Sequence, residues 1–141
     1  MIDQKNEALK NADSSALAEA IVSVLIEKKA HDVKMYNVGE ENPMTDFYVN
    51  ATGRSLTLVA ALADELVVKI GECGNDNCKI EGKRGNSWIL IDYGNVIVNL
   101  FDKESRSFYN LDRLMPEGSE ADISAIVAAV DEKMKINNTE E

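Results

Sequence analysis

Apolar residues along this chain switch between a helical and an extended period, and each switch marks an element. After a polar start, Leu17, Ala20, Ile21, Val24 and Leu25 recur at helical spacing, with Ser14 or Ser15 placed to cap the first turn. A first helix over about residues 15–30 follows. Val33 to Val38 is rich in β-formers and reads as a strand, Gly39 to Pro43 punctuates, and Phe47 to Ala51 reads as a second strand bordered by Asp46 and Gly53. From Ser55 the period lengthens again: Val59, Leu62, Ala63, Leu66 and Ile70 share one helical face, and Gly71 with Gly74 supplies the stop.

The stretch from Gly74 to Asn86 is polar and reads as a loop, with room for a short edge strand at Lys79 to Glu81. Two apolar runs, Trp88 to Tyr93 and Val96 to Phe101, face each other across Gly94-Asn95 and predict a hairpin at the centre of the sheet. A mixed segment through Phe108, Tyr109, Leu111 and Leu114 closes at Pro116-Glu117-Gly118. A last amphipathic helix is expected to open at Ser119, with Asp122 in a capping-box position, and to run through Ile123, Ile126, Val127, Val130 and Met134. Helices interleaved with strands, one hairpin and no regular βαβ repeat predict an α+β fold, a two-layer sandwich in which helices cover a mixed β-sheet. The reading divides the chain into a flexible N-terminal segment (1–14), a central domain (15–115) and a C-terminal amphipathic helix with its tail (116–141).

Composition narrows the class. At 141 residues, 45% of them hydrophobic and 28% charged, the chain suits one globular domain. Fifteen basic against 25 acidic residues leave a formal charge of −10, which repels phosphate and disfavours broad DNA or RNA binding. The same charge steers the molecule toward a basic protein. The first residues carry neither a secretory nor an organellar pattern and no long apolar run follows, so the expected location is cytoplasmic and no membrane partner is expected. Two cysteines, Cys73 and Cys78, agree with a reducing compartment.

Little in the chain suggests catalysis. His31 has no second histidine with which to share a metal, and Cys73 and Cys78 are too widely spaced for a paired zinc site, so no metal and no cofactor is expected. Phosphate-cradling and nucleophile-elbow motifs are missing. Thr52-Gly53-Arg54-Ser55 stands at a strand-to-helix junction where free amides could hold an anion, but a turn glycine followed by a serine cap accounts for it. A nucleotidyltransferase would need two carboxylates at alternate strand positions for its magnesium ions. The hairpin offers Asp92 alone, with Leu90 and Gly94 at the alternate places. The competing enzymatic reading is a degenerate nucleotidyltransferase binding a nucleotide through Gly53, Ser55 and Asp92.

Four segments together resemble the ribosomal silencing factor (Iojap-like) family: Asp46 to Ser55, Glu81-Gly82, Trp88 to Phe101, and Arg106 to Leu114. With the first helix, the resemblance covers about residues 15–115, and the helix from Ser119 onward lies past the family's usual end. It implies a nucleotidyltransferase-like fold without transferase activity. It further implies a protein that binds the fourteenth protein of the large ribosomal subunit, excludes the small subunit sterically and represses translation. The family's contact surface falls here on Trp88 and Tyr93, and Asp92, Asp46, Arg106, Tyr109 and Asp112 match further motif positions. The chain has Asn99 where the family usually has His, Arg54 for Asn or Thr, Asp112 for Glu, and Met115 for Trp.

Tyr93, beside the Gly94-Asn95 turn, is expected to be partly exposed and to anchor the interface, whereas Trp88 on composition alone would be a core residue. Arg106 and Asp112 could pair with each other on the surface. Glu40-Glu41 reads as solvated. Apolar segments numerous for one small core also predict a homodimer, and a purely structural dimeric module is a third reading.

Overall fold

The computed structural model describes residues 8–10, 12–39 and 42–139; Glu40 and Glu41 lie outside the described residues, as do residues 1–7 of the N-terminal segment. Five strands form one mixed sheet in the order β1-β2-β5-β4-β3: β1 (His31–Asn37), β2 (Phe47–Gly53), β3 (Lys79–Glu81), β4 (Trp88–Asp92) and β5 (Val96–Asp102). β2 and β5 run parallel at the centre, and every other neighbouring pair is antiparallel. The parallel pair requires a crossover, which α2 (Leu56–Glu72) supplies. The α+β expectation holds.

α1 (Ser14–Glu27) and α2 pack on one face of the sheet, where Leu17, Ile21, Leu25, Val59, Leu66 and Ile70 meet Val49, Ile89, Ile91, Val98 and Leu100 in one buried core. The α2 face is the one its sequence spacing predicted, because an apolar stripe of that width has only one stable orientation over a sheet. Its start agrees too: Ser55 Oγ accepts the Leu58 amide at 3.1 Å. Its stop differs in detail, since Gly71 stays helical and Gly74, at φ 105°, ends the helix.

Other boundaries shift for identifiable reasons. Asp13, rather than either serine, caps α1 by accepting the Ala16 amide at 2.9 Å. The helix then ends early, at Glu27, and Lys29 at φ 68° turns the chain so that His31 begins β1. Part of the segment expected to be flexible is docked: Leu9 is buried in the core and its amide donates to the Cys73 carbonyl at 2.8 Å. The last helix, α4 (Ser124–Thr139), opens five residues later than expected. The displaced residues close the β1 edge instead, with the Asn37 amide donating to Ser119 at 2.8 Å and the Ala121 amide to Met35 at 2.7 Å. An open strand edge has unpaired amides and carbonyls that a neighbouring extended segment satisfies, and this outweighs one more helical turn. α4 then rests on α1, burying Val130, with Ile123 and Ile126 against the core.

Two glycines have a steric reason to be where they are. A Cβ on Gly82 would come within 2.1 Å of the Trp88 carbonyl oxygen, and one on Gly53 within 2.9 Å of Val59. Gly82 sets β3 against β4; Gly53 lets α2 turn back tightly from β2.

Candidate interaction site

The second face of the sheet is polar where the first is apolar. β-strand alternation places Tyr36, Asn50, Thr52, Asn99, Phe101 and Trp88 on it, and the paired register sets Asn50 beside Asn99 and Trp88 beside Phe101. Over it lies the segment that the sequence left as mixed: α3 (Lys103–Tyr109), capped by Asp102, and a 3-10 turn at Leu111–Leu114. Asn110, in the left-handed conformation at φ 47°, joins the two and reverses the chain so that Asp112 points back at the sheet.

A continuous hydrogen-bond chain results. Trp88 Nε1 donates to Asn99 Oδ1 at 2.9 Å, Asn99 Nδ2 to Asn50 Oδ1 at 3.1 Å, and Asn50 Nδ2 to Asp112 Oδ1 at 3.0 Å. Tyr36 Oη donates to the same Asp112 oxygen at 2.8 Å. Arg106 grips Asp112 with Nε at 2.6 Å and Nη2 at 3.2 Å, and its Nη1 donates to Thr52 Oγ1 at 2.9 Å. Burial by itself would raise the pKa of Asp112. The hydrogen bonds from Arg106, Asn50 and Tyr36, with the guanidinium charge, outweigh it and hold the carboxyl below its ordinary value. Tyr36 moves the other way, pushed up by burial and then by the bond to ionised Asp112. Buried polar groups satisfied this completely lock the α3 segment onto the sheet.

That network fixes an aromatic surface. Trp88, Phe101 and Tyr109 form a triangle of tilted rings, with centroids 5.1 Å (Trp88 to Phe101), 4.7 Å (Trp88 to Tyr109) and 6.5 Å (Phe101 to Tyr109) apart, and Phe108 meets Tyr109 edge-on at 5.0 Å. Trp88 is half-buried, whereas Tyr109 is 49% exposed, Phe108 81% and nearby Leu114 67%. Large apolar groups exposed on a rigid scaffold are what an interface uses as anchors.

Of the seven residues singled out from the sequence, the fold gathers four: Trp88, Tyr109, Arg106 and Asp112. Arg106 and Asp112 do pair, but Arg106 is buried and the pair is a structural hub rather than a surface contact. Asp46 and Asp92 sit at the opposite end of the sheet, where Asp46 accepts Ser14 Oγ and Asp92 accepts the Gly94 amide at 2.7 Å. The expected exposure of Tyr93 is corrected. It is 7% exposed on the helix-packed face, its hydroxyl turned toward the Cys78 thiol without a well-formed hydrogen bond, and burial pushes the pKa of both groups up. Turn proximity suggested exposure, but alternation along β4 continues through Tyr93 and aims it inward with Ile89 and Ile91.

The residues missed were Asn50, Asn99, Tyr36, Thr52 and Phe108. An asparagine in the middle of each of two apolar strands was the visible signal, since such a residue needs a partner once buried. The enzymatic constellation does not assemble: Gly53 pairs with Asp102 and Asp92 with Ile97. Five residues along β5 separate those positions, roughly 17 Å at strand rise.

The family model described as ribosomal silencing factor during starvation matches residues 11–141, and so takes in α4 beyond the segments that suggested the resemblance. A ribosomal silencing factor from Zymomonas mobilis is 34% identical over 110 residues, covering 78% of this chain and 83% of that protein. The mouse protein named mitochondrial assembly of ribosomal large subunit protein 1 is 32% identical over 114 residues, 79% of this chain and 50% of that protein. The crystal structure of a Chromobacterium violaceum protein superposes with a TM-score of 0.71 at 26% identity, covering 74% of this chain and 87% of that one. With the family model matched over residues 11–141 and a named member 34% identical over most of both chains, the chain belongs to the family of ribosomal silencing factors during starvation.

Proposed function

We propose that this protein is a non-catalytic translation repressor that binds the large ribosomal subunit through its fourteenth protein and sterically blocks joining of the small subunit. The observation that carries the reading is the aromatic surface of Trp88, Tyr109 and Phe108, held rigid from beneath by the Asn99-Asn50-Asp112-Arg106 chain. A net charge of −10 suits approach to a basic ribosomal protein, and the names of the relatives place silencing and large-subunit assembly within the family. Asp46 and Asp92 serve as acidic contacts farther along the sheet only if the partner extends that far. Tyr93 acts beneath the surface, as packing. No helix among the described residues is long and apolar enough to cross a membrane.

The test is cosedimentation with purified ribosomal subunits. The protein should pellet with large subunits, not with small ones, and added small subunits should then fail to join. Pelleting with small subunits, or normal joining at saturating protein, would overturn the reading. The same exposed apolar residues fit a homodimer in the free state, whose contacts would compete with the ribosomal partner. Sedimentation equilibrium should show dimers that dissociate when the large subunit is added; a strict monomer at high concentration would remove this part.

A further inference from the structure

Between α3 and residues of β1 and β2 lies an open cleft of about 760 Å³, within the size range of small-ligand sites. It sits where the parallel strands β2 and β5 both end, the edge at which sheets with parallel strands commonly place ligands. Its charged lining is Lys34, Arg54, Lys103 and Arg106 against Asp32 and Asp112, a local excess of positive charge in a protein with an excess of ten negative charges.

The cations differ in how they are engaged. Arg106 is committed to Asp112 and Thr52 and lies 3.6 Å from Asp32, and Lys34 has Glu120 at 3.9 Å. Arg54 and Lys103 are both exposed and make no ion pair among the described residues. Register explains why they are neighbours. Gly53 pairs with Asp102 across the parallel strands, so Arg54 and Lys103 follow the ends of neighbouring strands. Both line the cleft, so an anion seated there meets two cations that have no carboxylate partner of their own among the described residues. The Ser55 cap occupies the Leu58 amide, one of the donors at the start of α2.

We propose that this cleft binds the phosphate groups of a small phosphorylated ligand, with Arg54 and Lys103 as the pair that receives them. Inorganic pyrophosphate and the diphosphate of a nucleotide share the required chemistry. Neither the ribosomal reading nor the aromatic surface enters this argument, since Arg54 and Lys103 belong to neither.

The experiment is calorimetric titration of the full chain with pyrophosphate, ADP and adenosine, repeated at two salt concentrations. Pyrophosphate and ADP should bind, more weakly at high salt, and adenosine should not; a tighter ADP than pyrophosphate would identify a nucleotide as the better source. Arg54→Gln/Lys103→Gln should bind pyrophosphate about tenfold more weakly, the loss of two exposed charge contacts. Lys69→Gln/Lys79→Gln, which changes net charge equally at exposed positions elsewhere, should bind like the parent. Thermal melts should show all three proteins folded alike. No pyrophosphate binding at millimolar concentration, equal loss in both double variants, or adenosine binding as well as ADP would overturn the proposal.

Discussion

Arg106 on α3 and Asp112 on the 3-10 turn form a two-pronged pair, with Nε to Oδ2 at 2.6 Å and Nη2 to Oδ1 at 3.2 Å, and the hydrogen-bond network of the polar face converges on it. Thr52, Asn50 and Tyr36 from two strands end on one member or the other. Replacing Arg106 with Ala should therefore cost about 3 kcal/mol, because it strands a carboxylate that is mostly out of water. Arg106→Lys should recover little, since an ammonium cannot make the planar two-point contact. Denaturant melts decide the matter, and a lysine variant as stable as the parent would show that charge alone suffices.

Acid sensitivity should trace to Asp112. Its folded-state pKa lies below the ordinary carboxylate value, so its stabilising contribution is present above that value and disappears as pH falls through the lower, folded one. Melting temperature should drop below about pH 4, the unperturbed carboxylate range, and Asp112→Asn should flatten that part of the profile. An unchanged acid limb in the variant would assign the sensitivity to other carboxylates.

Tyr93 separates packing from polarity. Tyr93→Ala removes a buried aromatic ring and should cost about 3 kcal/mol, whereas Tyr93→Phe should be neutral or stabilising, because the hydroxyl it deletes is buried without a good partner. Chemical denaturation of both variants is the check. A strongly destabilised phenylalanine variant would mean that the hydroxyl's contact with Cys78 matters more than its geometry suggests.

On the aromatic surface the balance reverses. Tyr109→Ala, at an exposed site, should leave the melting temperature close to that of the parent while weakening large-subunit binding by about 2 kcal/mol, the usual effect of truncating an interface anchor. Glu132→Ala, on the exposed side of α4, serves as the acidic control and should bind normally. Equal binding by Tyr109→Ala and the parent would move the contact surface elsewhere.

Much of the fold was legible in one dimension. The α2 stripe and the Trp88–Phe101 hairpin follow from local periodicity and turn chemistry, because one buried face per element leaves one workable period. The pairing of β2 with β5 in parallel, which sets Asn50 against Asn99 and Arg54 beside Lys103, has no local signature at all, since it joins residues about fifty apart through a crossover. Burial of Tyr93 depended on strand alternation overriding turn proximity, and the late start of α4 on an edge of β1 that only the assembled sheet exposes. The sequence by itself determined the elements, the fold class and the family resemblance, all of which rest on short-range pattern. Tertiary structure decided which polar side chains share a hydrogen-bond network and which cations share a cleft, because those are long-range contacts whose partners are chosen only when the sheet closes.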